Sequence, residues 1–488
     1  MTTPITLIAT IGTRDLMYQI KSGEWYNAGD DRMRDGDIIG EQAEVLSDLG
    51  KSSLTYRDLT HFLVEHKAEY AHRIRPVILG KLLEDHLEEI QQVYLIGTDQ
   101  DESVSYRTKD TLYTCEIIKA WLEQQKPGLE VIVIPLGRDG TNPSDFEGMF
   151  EWWSHQWEQT IKIPQKHKIW MCVKGGVGQS SEAGRISGLS RYSARIQFFE
   201  FEQTPLKNRA GIPSLYHGPY LGLNYLWDRT YQQVLRRLDR FDYVGVRELL
   251  EDYQDRESVQ QINPLVQAGV AWNQGRFDNF LTFAIANLTQ QQREQSATFW
   301  WMAYEEMYLS QVRLNQDNTV EAFLHSFRAL EALVVTWITT HYPTIAQTPT
   351  GQGFLRLQKS ECYRVFQENS RIVALFQNRN PNQGSNTEID LHNYARQTIL
   401  TVVDRAFADS PDLAPLWTTA KDLRNQLSHQ IVGISALEMF HAWGVTNENQ
   451  WEKRMLACLN LLSDQKFVSL KQSSLFASLH HRIKTTLR

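Results

Sequence analysis

The chain has 488 residues, 42% hydrophobic and 22% charged, which suits a globular protein of about three ordinary domains. No apolar run reaches the roughly 20 residues of a membrane helix, and a net charge of −8 argues against a long nucleic-acid groove while leaving room for a local basic site. The four cysteines, Cys115, Cys172, Cys362 and Cys458, lie far apart without zinc spacing and read as reduced thiols of a cytoplasmic protein.

Residues 5–10 (Ile-Thr-Leu-Ile-Ala-Thr) follow no basic segment and soon meet Gly-Thr-Arg-Asp, which predicts a first β-strand rather than a leader. Residues 21–37 read as an exposed insertion or hairpin with no function assigned. Short apolar runs recur at 93–96, 131–136 and 169–173, stopping at or near Gly97, Gly137 and Gly175, and 195–201 closes the series. Between them, Leu112, Cys115, Ile118 and Leu122 mark one helical stripe, and Phe146, Met149, Trp153 and Trp157 another. Buried strands alternating with amphipathic helices predict a parallel, doubly wound α/β sheet.

Such sheets take ligands beyond the carboxyl ends of their strands, where strand order reverses. Three loops fall there: Ile11-Gly12-Thr13-Arg14-Asp15, Ile96-Gly97-Thr98-Asp99, and Lys174-Gly175-Gly176-Val177-Gly178-Gln179-Ser180-Ser181. Glycine admits close backbone approach, amides cradle anions, and hydroxyls bond ribose or phosphate. The third loop looks like the deviant P-loop of partition-type ATPases, but Gln179 stands where the phosphate-binding lysine belongs, which argues against ATPase activity.

Prolines and glycines crowd residues 204–220 and mark a boundary. Helical patterns follow to about residue 290, and the segments from Arg240 and Arg276 start alike, 36 residues apart, as in stacked helical hairpins or by coincidence. Phe323, Phe327, Leu330, Val334 and Trp337 make one helical stripe, with Glu331 inside it. A carboxylate facing a core needs a partner, and Arg424 is the expected one. Residues 424–429, Arg-Asn-Gln-Leu-Ser-His, combine a permanent cation with a titratable imidazole, the two groups that cleave RNA without a metal. Five residues of helix turn them about 140° apart. Either the helix starts or bends inside the motif, or a second copy completes the site.

With these residues in view, the chain resembles the CARF–HEPN ribonucleases of type III CRISPR systems. The loops at 12–13, 97–98 and 174–181 resemble the CARF ligand loops, although Gly-Gly-Val-Gly-Gln stands where Gly-Gly-Thr-x-Gln is usual. Arg424-Asn425 and His429 match the HEPN motif, and Ser326-Phe-Arg-Ala-Leu-Glu-Ala-Leu resembles that domain's first core helix. The resemblance implies a Rossmann-like CARF domain over 1–205, a helical connector over 206–299 and an all-α HEPN domain over 300–488.

It also implies a cytoplasmic homodimer that binds a cyclic oligoadenylate, by resemblance tetra-adenylate. The dimer then cuts single-stranded RNA without metal or cofactor, leaving 2′,3′-cyclic phosphate ends. No membrane or DNA partner is expected. The catalytic set would be Arg424, Asn425, His429 and Glu331. The ligand set would be Thr10, Gly12, Thr13, Arg14, Gly97, Thr98, Asp99, Lys174, Gly175, Gly176, Gln179 and Ser180. Two alternatives stand beside it. The sensor domain could cleave its own ring, with Thr13, Lys174 or Ser180 taking part, or the helices could form a non-catalytic interaction module.

Overall fold

The computed structural model describes residues 3–29, 40–202, 205–347, 355–377 and 387–487. It divides into two compact units, Met1–Arg229 and Thr230–Arg488.

The first unit is built on a six-stranded sheet: β1 (Ile5–Thr10), β2 (Ile90–Thr98), β3 (Glu130–Leu136), β4 (Lys168–Cys172), β5 (Ile196–Glu202) and β6 (Leu215–Leu221). Their order is β3-β2-β1-β4-β5-β6. The first five are parallel, and β6 adds antiparallel to β5. Strand order therefore reverses between β1 and β4. The sixth strand lies past the sequence boundary at 205. As an exposed edge strand holding Gly218-Pro219, it lacks the apolar run that betrays the inner ones.

Alternation along each inner strand feeds two cores. Leu7, Ala9, Val93, Leu95, Val131 and Cys172 pack with Leu82 and Leu83 of α2 (Gly80–His86) and with Cys115, Ile118 and Leu122 of α3 (Leu112–Gln125). Ile8, Tyr94, Ile96, Ile134, Ile169 and Met171 point the other way, onto α4 (Phe146–Gln159) and α5 (Gly178–Tyr192) through Met149, Trp153, Trp157 and Ala183. Trp153 is fully buried, so truncation to alanine costs roughly 3–5 kcal/mol. A small antiparallel sheet (Trp25–Asn27, Leu16–Gln19, Ile74–Pro76) packs on α1 (Tyr56–Glu65). Within 21–37, residues 25–27 are thus one strand of a hairpin with Leu16–Gln19, and 30–37 lie outside the described residues.

The second unit is helical. α7 (Trp301–Asn315) and α8 (Thr319–His341) pack along each other across a short turn, where Asn318 caps α8 through Glu321 N. The stripe Phe323, Phe327, Leu330 and Val334 is buried. Against α8 lie α9 (Asn393–Val403) and α10 (Thr419–His429). The earlier α6 (Glu257–Asn273), between Tyr243–Leu250 and Phe277–Ala284, belongs to the same unit. Its Trp272 donates to Glu305 Oε2 at 2.9 Å, and Ser474 Oγ and Leu475 N also donate to that carboxylate. Burial still raises Glu305 above the ordinary glutamate range. Among the described residues no helix is long and apolar enough to cross a membrane.

Candidate functional site

In the first unit, the loops at the carboxyl ends of β1, β2, β3 and β4 surround a cavity of about 1070 Å³. Gly12, Thr13, Arg14 and Asp15 line it from the first loop, Thr98 from the second, and Lys174, Gly175 and Gly176 from the third. The first and third loops come from neighbouring strands and touch. A Cβ on Gly12 would meet Gly176 N at 2.7 Å, and one on Gly175 would meet Thr10 O at 2.4 Å. Both positions need glycine for that contact, and Gly176 adopts φ +89°.

Asp15 closes this junction. It is buried, and its Oδ2 accepts from Gly12 N at 2.6 Å. Burial pushes its carboxyl up to about 7, against the lowering effect of the Gly12 bond. The Gly12 amide therefore serves the protein rather than an incoming anion. Asn27 Nδ2 donates to Arg14 O at 2.9 Å, so the hairpin strand at 25–27 braces the first loop.

Several residues read from sequence as ligand groups have other partners. Thr10 is buried and donates to Gly175 O at 2.5 Å, latching β1 to the third loop. Gly97 leaves room for α3, since a Cβ there would lie 2.6 Å from Cys115 Sγ. Asp99 is buried and pairs with Arg57 at 2.7 Å and with Arg138. Burial opposes its charge, but Arg138 and Arg57 hold it below the ordinary carboxylate range. Gln179 is exposed and Ser180 buried, and neither lines the cavity.

The sequence reading missed other wall residues. Thr111 Oγ1 accepts from Thr98 N at 3.0 Å and donates to Ile11 O at 2.8 Å, while Thr98 Oγ1 accepts from Thr111 N at 3.1 Å. Tyr106, Lys109, Thr141, Asn142 and Ser144 also line the space. The turn-rich segment Gly137-Arg-Asp-Gly140-Thr-Asn-Pro-Ser after β3 was the available signal. Cations, hydroxyls and an exposed aromatic ring suit a ligand with phosphate, ribose and base.

In the second unit, a cavity of about 760 Å³ is lined by α8, α9 and α10. Arg424 reaches it from α10 and donates through Nη2 to Glu331 Oε1 at 3.5 Å; its guanidinium also lies 5.1 Å from the Phe327 ring centre. Arg396 of α9 donates to the same oxygen at 3.0 Å. At another part of the wall, His325 Nδ1 lies 2.8 Å from Glu306 Oε1, which Arg328 also approaches at 3.3 Å.

α10 runs unbroken from Thr419 to His429, which excludes a start or bend inside the motif. Asn425 and His429 are exposed and do not line the cavity. Beyond His429, Ile431, Val432 and Leu437 are exposed apolar side chains. One chain thus brings Arg424, Glu331 and Arg396 together and leaves His429 apart.

No family model matches this sequence, and no curated protein matches it. Among solved structures the chain is similar to "Enterococcus italicus Csm6 bound to cyclic hexa-2'-fluoro-hexa-dAMP". The TM-score is 0.56 at 11% identity, over 99% of this chain and 100% of that one. The likeness spans both units and shows the fold: a Rossmann-like sheet domain followed by a helical domain.

Proposed function

We propose that this chain is a cytoplasmic, cyclic-oligoadenylate-activated endoribonuclease of type III CRISPR defence, acting as a homodimer on single-stranded RNA. One observation carries the reading. Arg424 enters a cavity with Glu331 and Arg396, while His429 of the same unbroken helix stands outside it, with exposed Ile431, Val432 and Leu437 following in sequence. Exposed apolar side chains close in sequence to an exposed imidazole suit a second copy, whose matching surface would bring one chain's His429 toward the other's Arg424.

In this reading a ribose 2′-oxygen attacks its own 3′-phosphorus as the bond from phosphorus to the 5′-oxygen breaks. Arg424 balances charge on the non-bridging oxygens, His429 moves a proton, and Asn425 positions the strand. The products are a 2′,3′-cyclic phosphate and a 5′-hydroxyl, and no step uses a metal. The activator would occupy the first unit's cavity and act by binding the cutting-competent arrangement more tightly. The similar Csm6 structure holds a cyclic hexa-dAMP analogue, so a six-membered ring joins tetra-adenylate as a candidate.

A quenched fluorescent RNA, assayed in chelator with cyclic tri-, tetra- and hexa-adenylates, tests the proposal. Cutting with at least one ring, lost in His429→Ala, is expected. Cutting abolished by chelator, or persisting in that variant, overturns it.

A further inference from the structure

The Arg/His motif supplies one guanidinium, but the cavity holds two against a single carboxylate oxygen. Glu331 Oε1 takes Arg396 at 3.0 Å and Arg424 at 3.5 Å, and the motif's arginine is the more distant. Two fixed cations share this one carboxylate, while Asp390, which also lines the cavity, pairs with Arg356 at 3.4 Å. The other arginines lining the cavity have their own carboxylates: Arg313 with Glu321, and Arg328 with Glu306.

Three further observations point to an anion here. Among the described residues, the donors Arg396 Nε, Arg424 Nε and Asn393 Nδ2 are buried without a hydrogen-bond partner. Burial draws Arg396 below the ordinary arginine value; Glu331 opposes this, and the neighbouring Arg424 adds a smaller push the same way as burial. Finally, Leu391, His392, Asn393 and Arg396 bring the first turn of α9 to the cavity, and the positive end of a helix dipole favours an anion.

We infer that Arg396 is a second substrate-contacting arginine: the scissile phosphate lies between Arg396 and Arg424, each on a different non-bridging oxygen, with Glu331 spacing the two guanidiniums. This rests on the ribonuclease reading above. Arg396 stays protonated throughout; the phosphorus–2′-oxygen bond forms, the phosphorus–5′-oxygen bond breaks, and the proton leaves the 2′-oxygen while another reaches the 5′-oxygen. Its part is to offset charge that grows on the phosphoryl oxygens.

The test uses the full-length protein with its activating ring and RNAs carrying one Rp or Sp phosphorothioate at the cleaved linkage. Arg396→Ala should cut about 100-fold slower or worse, with ring affinity unchanged as a check on folding. Arg396→Lys should recover less than a tenth of the parent rate, because a point charge does not reproduce the planar fork. The parent should discriminate against one isomer, and Arg396→Ala should lose that discrimination while Arg424→Lys keeps it. A purely structural role would slow both isomers alike. Should Arg396→Ala not fold, the lysine variant's isomer preference decides. Parent-like rates and isomer preference in the arginine variants, from a parent that cuts RNA, overturn the role of Arg396 alone. A parent inert toward RNA with every ring overturns this inference together with the ribonuclease reading.

Discussion

Asp15 and Gly175 sit so close that a Cβ added to the glycine would fall 2.5 Å from Asp15 Oδ2. The same atom would fall 2.4 Å from Thr10 O and 2.6 Å from Gly12 N. Two of these three neighbours are backbone, so the overlap cannot be relieved by turning a side chain. Gly175→Ala should therefore cost roughly 1–3 kcal/mol or more and weaken ring binding at least tenfold. Thermal unfolding and titration with a fluorescent ring measure the two effects. Parent-like behaviour in both would mean the loops are not locked together.

The buried carboxyl of Asp15 makes stability depend on pH. Its folded value, about 7, lies above the unfolded 3.8, so between those values the folded chain holds a proton that the unfolded chain has released. Stability from this group is full below pH 4 and falls as pH rises toward 7, by on the order of 4 kcal/mol. Asp15→Asn keeps an acceptor for Gly12 N–H and removes the titration. Denaturant midpoints from pH 5 to 8 should fall with pH for the parent and fall less for the variant. Identical slopes would place the titration elsewhere.

If Arg424 of one copy works with His429 of the other, two dead proteins can rescue each other. Arg424→Ala and His429→Ala should each lose at least about 100-fold in rate. His429 is exposed, and without Arg424 the Glu331 carboxylate keeps Arg396, so melting temperatures should stay near the parent's. After mixing and subunit exchange, about half the dimers are mixed and one of their two sites is intact, giving about a quarter of parental activity. No recovery after verified exchange would place both groups in one chain's site. Chromatography of the ring left by His429→Ala adds a second reading: intact ring means binding alone, and linear product means the sensor also cleaves its activator.

Glu331 holds two cations, and removing its charge should cost more than either ion pair suggests. Glu331→Gln leaves Arg396 and Arg424 facing each other without an anion. A loss of roughly 3 kcal/mol or more in stability is expected, partly recovered by millimolar inorganic phosphate. A fully stable variant indifferent to phosphate would show that the pair carries no strain.

The inner sheet was legible because parallel strands covered on both faces read as mostly apolar runs, as in Ile5–Thr10, buried along its whole length. Glu331 and Arg424 were legible as partners because a carboxylate inside a helical stripe demands a cation. Arg396 was not, since it belongs to no motif and nothing local distinguishes it, whereas Arg424 stood in a recognised one. Gly97 and Asp99 show the opposite difficulty. A glycine that admits a helix and one that admits a ligand read alike, and an acidic side chain at a strand end does not reveal that Arg57 and Arg138 claim it. The loop at 137–144 followed a recognised strand, yet its wall residues carry no phosphate-loop pattern.

The latch from Thr10 to Gly175 joins positions 165 residues apart. A ribosome must therefore emit more than a third of the chain before the loops that would cradle the proposed ring can meet. Fragments arrested before that point would carry the first Gly-Thr loop without its partner loop, and on the proposed reading would not bind the ring. Ring capture could thus report, during translation, the moment the sheet closes.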